Sequence, residues 1–163
     1  MAATGTLLGR RLARAIDLWA LLGGLVLVAL VLVNVWAVAG GALGLAFAGD
    51  VELTEMGVAA AAFAFLPYCQ LHRQNVRADI FTQGAPRGLR RALDSAASAI
   101  ALGFAALLLW RMQAGLMDQM AYGYSSTILQ VPLWWVYVPI LISLALLLVA
   151  AAMTLLEDLR GEA

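Results

Sequence analysis

Residues His72–Arg91 read HRQNVRADIFTQGAPRGLRR, a polar stretch between two long apolar ones. Five arginines fall within it: Arg73, Arg77, Arg87, Arg90 and Arg91. Short loops rich in Lys and Arg between membrane spans are retained in the cytoplasm. Placing this bridge inside orients every other segment. The rest of the chain supports reading it as a membrane loop. Of 163 residues, 64% are hydrophobic and only 12% charged, and mean hydropathy is +0.90. A soluble domain is nearer half apolar and a quarter charged, so much of this chain must be solvated by lipid.

Four apolar stretches flank this bridge, two on either side. The first span is about Ile16–Val38, preceded by the basic segment Met1–Ala15 with Arg10, Arg11 and Arg14. That segment reads as an amphipathic turn on the cytoplasmic surface. The run Leu18–Val38 is too long for the roughly 7–15-residue core of a secretory signal. It suits a span of about 20 residues. The second span is about Leu53–Leu71, where Pro67 is expected to kink or end the helix. The third is about Leu93–Trp110, its start marked by Ala85-Pro86. The fourth is about Val131–Leu156, opening on the aromatic run Pro132, Leu133, Trp134, Trp135, Val136 and Tyr137, a belt for the water boundary. Between the last two spans, Gln113–Gln130 reads as a polar, turn-like outer loop. Glu157, Asp158, Arg160 and Glu162 read as a short charged tail.

Arginine bias then sets the topology. Arg10, Arg11, Arg14, the five of the bridge and Arg160 lie inside, and only Arg111 lies outside. The expectation is an all-α, integral membrane bundle of four transmembrane helices with both termini cytoplasmic, forming a single domain over residues 1–163.

The chain carries few groups suited to chemistry. One cysteine (Cys69) and one histidine (His72) rule out an internal disulfide, an all-protein Cys/His zinc site and bis-histidine haem ligation. No Gly-rich phosphate loop or Ser/His/Asp arrangement is visible. No basic groove with interleaved aromatics suggests nucleic acid. The spans lack the paired ionisable groups of a membrane enzyme and the polar stripe of a channel. Asn34 lies deep in the first span and needs a hydrogen-bond partner; it reads as helix–helix glue rather than a substrate contact. Glu52 and Glu55 share a face at the start of the second helix. They read either as hydrated carboxylates favourable to the helix dipole or as contacts to a partner subunit. His72 reads as a solvated loop residue. Ser95, Ala99 and Gly103 repeat at four, a small-residue packing face.

From Phe65 the chain reads FLPYCQLHRQNVRADIF, and from Ser126 STILQVPLWWVYVPI. Both stretches resemble the small membrane subunit (Q subunit) of tripartite ATP-independent periplasmic (TRAP) transporters, and the resemblance covers about Ile16–Leu156. In the first motif Asn75 stands for the usual His and Ala78 for the usual Val, with Val76, Arg77 and Asp79 in register. Glu52 and Glu55 fill the acidic positions at the start of the second span, without the Trp and Arg common there. The second motif, Thr127–Tyr137, fits without departure. The resemblance implies import of an organic acid on a sodium gradient. It implies a large membrane subunit that binds substrate and sodium, a periplasmic substrate-binding protein, and this chain as scaffold and docking aid in the inner membrane. No cofactor is implied for this chain. The alternative from composition alone is a self-sufficient homo-oligomeric transporter or channel, with Asn34, Glu55 and Arg111 as the available lining.

Overall fold

The computed structural model describes residues 7–45, 47–72 and 87–160. They form four helices: α1 (Leu7–Ala42), α2 (Asp50–Leu71), α3 (Arg87–Tyr122) and α4 (Trp134–Arg160). The only β pairing among them is an isolated bridge between Ser125 and Pro132. Three stretches are long and apolar enough to cross a membrane, Gly9–Ala42, Ser95–Tyr122 and Trp134–Leu159. The second helix is not one of them, because Glu52, Glu55, Pro67 and Gln70 dilute its apolar run. Its 22 residues still reach about 33 Å at 1.5 Å per residue.

Packing runs α1 against α2, α2 against α4, and α4 against α3. The directions follow from the ties. Asn34 meets Thr54 and Asp17 meets His72, so α1 and α2 are antiparallel. Gln70 meets Thr154 while Glu52 meets the segment before α4, so α2 and α4 are parallel. Ser98 meets Asp158 while Gly115 lies against Tyr137, so α3 and α4 are antiparallel. The starts of α1 and α3 therefore share one end of the assembly with the ends of α2 and α4. We refer to this as the His72 end, and to the other as the Glu52 end.

Small residues set the α1–α2 spacing. A Cβ at Gly23 would lie 2.8 Å from the Ala64 methyl, and one at Gly57 would lie 2.7 Å from Leu30. Ala61 and Ala64 are buried there. The α4 helix contributes more to the core than any other, with Ile140, Leu144, Ala150, Ala151 and Met153 buried. By contrast α1 and α3 leave long apolar faces uncovered, including Leu25, Val31 and Trp36 on α1 and Ile100, Phe104 and Trp110 on α3.

Several boundaries differ from those read in the sequence. Leu7–Ala42 is one unbroken helix, so Leu7–Ala15 of the basic segment, with its three arginines, forms the first turns of α1 and not a separate surface turn. Nothing in Leu7–Ala15 breaks a helix. The helix ends only where Gly44 takes φ +74 and Leu45 N–H returns to Gly40 C=O at 2.7 Å, a left-handed cap suited to glycine. The third helix continues through Gln113–Tyr122, where a turn-like loop was expected. Met, Gln, Ala and Leu in this stretch are good helix formers, and its polarity marks an exposed helix. Gly123, at φ +63, ends it. Pro67 and Pro139 both lie inside helices; α2 continues past Pro67 to Leu71. The charged tail is helical to Arg160, and Asp158 within it is 0% exposed.

Candidate functional site

The densest polar arrangement lies at the Glu52 end. Glu52 stands in the first turn of α2. Its Oε1 accepts the backbone N–H groups of Thr127 and Ile128, both at 2.8 Å. Its Oε2 accepts that of Leu129 at 3.0 Å. The loop joining α3 to α4 is thus closed over the start of α2. Inside the loop Ser126 N–H donates to Val131 C=O at 2.9 Å, and Leu133 N–H donates to Tyr124 C=O at 3.0 Å. Gln130 turns the chain at φ 53, and its side-chain amide donates to Thr127 C=O. Three successive N–H groups converging on one point make an anion cradle, and this chain fills it with its own carboxylate. The Leu129 N–H is the largest influence holding the Glu52 carboxyl below its ordinary range, opposed by desolvation and aided by the Ile128 N–H, the Ser126 hydroxyl and the Thr127 N–H. Leu129 also packs on Gly49, where a Cβ would lie 2.5 Å from its side chain.

The other sequence candidates separate clearly. Asn34 donates to Thr54 Oγ1 and to Leu30 C=O, both at 2.8 Å, and Thr54 donates onward to Asp50 C=O. Glu55 is exposed and takes no part in the cradle's hydrogen bonds. Pro67 is buried. Pro132 forms the bridge with Ser125. Trp134 stacks edge-on with Trp135 at 6.1 Å, and Tyr137 covers Gly115. Ser95 is half-buried, whereas Ala99 and Gly103 are exposed, with nothing within 4 Å of a Cβ placed on Gly103. The packing face of α3 within this chain runs instead through Ser98 and Ala105. Asn75, Arg77 and Asp79 lie outside the described residues.

The tertiary structure adds ties that no linear motif announces. His72 stands just past the end of α2. Its Nε2 is 2.9 Å from Asp17 Oδ1, and its ring lies 4.3 Å from that of Tyr68. It is a helix–helix tie as well as a partly solvated residue. Trp19 Nε1–H donates to Ser143 Oγ at 2.9 Å. Gln70 Nε2 donates to Thr154 Oγ1 at 3.0 Å. Ser98 Oγ donates to Asp158 Oδ2 at 2.6 Å. The one signal for these in the sequence is a lone Ser, Thr or Gln within an apolar helix, which in lipid needs a partner.

Chemically, these groups fasten helices and loops together. Among the described residues no three His, Cys, Asp or Glu side chains gather as a metal site. Arg111 and Asp118 are both exposed and form no ion pair with each other.

Searches of curated proteins and of solved structures return no match. The family model for tripartite ATP-independent periplasmic transporters, DctQ component, matches residues 41–161. That range takes in Glu52, the cradle at 127–129, and α2, α3 and α4 entire. With most of its length matched, this membrane protein belongs to the DctQ component family of TRAP transporters.

Proposed function

We propose that the chain is the small permease subunit of a TRAP transporter, bracing a large sodium-coupled membrane subunit and helping to dock a periplasmic substrate-binding protein for import of an organic acid. The observation that carries this reading is the family match over 41–161. It is supported by a structure whose buried polar groups join this chain's own helices, while α1 and α3 leave long apolar faces for lipid or another subunit. Substrate and sodium then belong to the partner, and the chain needs no cofactor of its own.

In this reading the chain is a multi-pass protein of the bacterial inner membrane. All four helices span it, α2 included, because its stretch beyond Glu52, residues 53–71, reaches about 29 Å and matches a hydrocarbon core of about 30 Å. The His72 end, with the basic bridge, faces the cytoplasm, and both termini follow. Arg77 and Asp79 anchor the bridge there. The Glu52 end faces the periplasm and presents residues 43–45, 47–49 and 123–133 to the binding protein. The faces of Ser95, Ala99 and Gly103 and of the Trp134–Tyr137 belt are the candidate contacts to the large subunit.

The test is a mild-detergent pull-down of the tagged chain from its native host, with partners identified by mass spectrometry. Recovery of one much larger, many-span membrane protein at equal stoichiometry is expected. A stable homo-oligomer with no larger partner rejects the scaffold role and favours the self-sufficient channel.

A further inference from the structure

At the His72 end, α1 carries Arg10, Arg11 and Arg14, all exposed. Their spacings of three and four residues put Arg14 beside both of the others on one helix face. Gly9 and Ile16 on the opposite face are buried, so the basic face points away from the bundle. No ion pair among the described residues involves these three arginines. The nearest carboxylate in sequence, Asp17, is held by His72.

The same face continues down α1 as exposed leucines. Leu7, Arg11, Arg14, Leu18, Leu21 and Leu25 follow one another at three- and four-residue steps, and every one is exposed. A stripe of bulky aliphatic side chains on a membrane helix is where acyl chains lie. The arginines stand beyond Leu18, one to two turns past the Asp17–His72 level that marks the end of α2. Arg14 is about 5 Å and Arg10 about 10 Å beyond Asp17 along the axis. The headgroup layer on each side of a bilayer is about 5–8 Å thick, and arginine stems snorkel toward it. With the hydrocarbon edge set at the Asp17–His72 level, the charges fall at headgroup depth, above Leu18, Leu21 and Leu25.

We propose that this face of α1 is a binding site for anionic phospholipid, its headgroup held by Arg10, Arg11 and Arg14 and its acyl chains lying along Leu18, Leu21 and Leu25. Charge complementarity selects the headgroup, and the unbroken apolar stripe selects a lipid over a soluble anion. The site rests on the chain being a membrane protein and not on the identity of its transport partner. The pull-down and the lipid experiment can therefore fail separately.

The test uses the full-length chain in mild detergent. It is offered phosphatidylglycerol and phosphatidylcholine of identical acyl chains, and bound lipid is counted by native mass spectrometry. Phosphatidylglycerol is expected to be retained in preference. Arginine at a membrane surface contributes roughly fivefold per charge to anionic lipid binding, so the R10Q/R11Q/R14Q variant is expected to lose roughly a hundredfold. Phosphatidylcholine retention should not change. The R10K/R11K/R14K variant should keep most of the preference. Should the Gln variant not fold, the native chain still decides: its preference must fall steeply as salt rises from about 0.05 M to about 0.5 M, because screening shortens over that range. Equal retention of the two lipids, a preference indifferent to salt, or a Gln variant with the native preference overturns the site.

Discussion

Glu52 is one residue whose surroundings carry more information than its sequence position. Read along the chain, it is an acidic residue in a helix's first turn, favoured there by the helix dipole whatever lies nearby. In the structure its two oxygens serve three N–H groups from residues 127–129. Replacing it with Gln removes the charge and leaves one carbonyl acceptor for three donors. The amides of Thr127, Ile128 and Leu129 are then expected to exchange with deuterium several-fold faster by mass spectrometry, while amides within α4 keep their native rates. Acid should act in the same way. Because the clasp lowers the Glu52 pKa from its ordinary 4.5, its contribution is full above that value. It fades as pH falls through the lower value the clasp imposes. Loop protection that persists unchanged well below that range would sink the assignment.

Between helices, the close approach of α1 and α2 depends on residues with little or no side chain. Gly23 faces Ala64 and the Ala61 carbonyl, whereas a Cβ on its neighbour Gly24 would meet nothing within 4 Å. Gly23→Leu is therefore expected to push the helices apart and cost about 1–3 kcal/mol, the usual range for overpacking. Gly24→Ala should be neutral or slightly stabilising, since Ala is the better helix former. Thermal unfolding of the two variants in the same detergent checks the pair. A similar loss in both would mean that general helix effects, and not the α1–α2 contact, decide stability here.

Across the whole assembly, α4 is the common partner. It is tied to α1 through Ser143, to α2 through Thr154 and to α3 through Asp158. The α3 helix reaches the rest of the chain chiefly by packing on α4, so the Ser98–Asp158 bond matters for how α3 is seated. Ser98→Ala removes a donor from a fully buried carboxyl group. Hydrogen bonds of this kind contribute about 1–3 kcal/mol. The variant should unfold at lower temperature and show faster exchange along the first turns of α3, with α1 and α2 unaffected. Equal loosening of α1 would show that the assembly responds as one unit and that the seating of α3 is not local.

Composition alone establishes a helical membrane protein, because nearly two-thirds apolar residues in long runs leave lipid as the only adequate solvent. The two quoted motifs also pointed to the family, and the family model bears this out. Helix cores were legible because apolar runs persist for many turns. Helix ends at Tyr122 and Arg160 were not, because polar residues at the end of a helix look like a loop when read one residue at a time. Only the tertiary structure brought Glu52 to the STILQVP stretch, Asp17 to His72 and Asp158 to Ser98. Each pair is separated by tens of residues and joined by hydrogen bonds effective over about 3 Å, a distance no sequence spacing encodes. The structure likewise left Ala99 and Gly103 uncovered and buried Ser98 and Ala105 instead. Small residues mark every face of an Ala-rich helix alike, and it is the neighbouring helix that decides which face is covered.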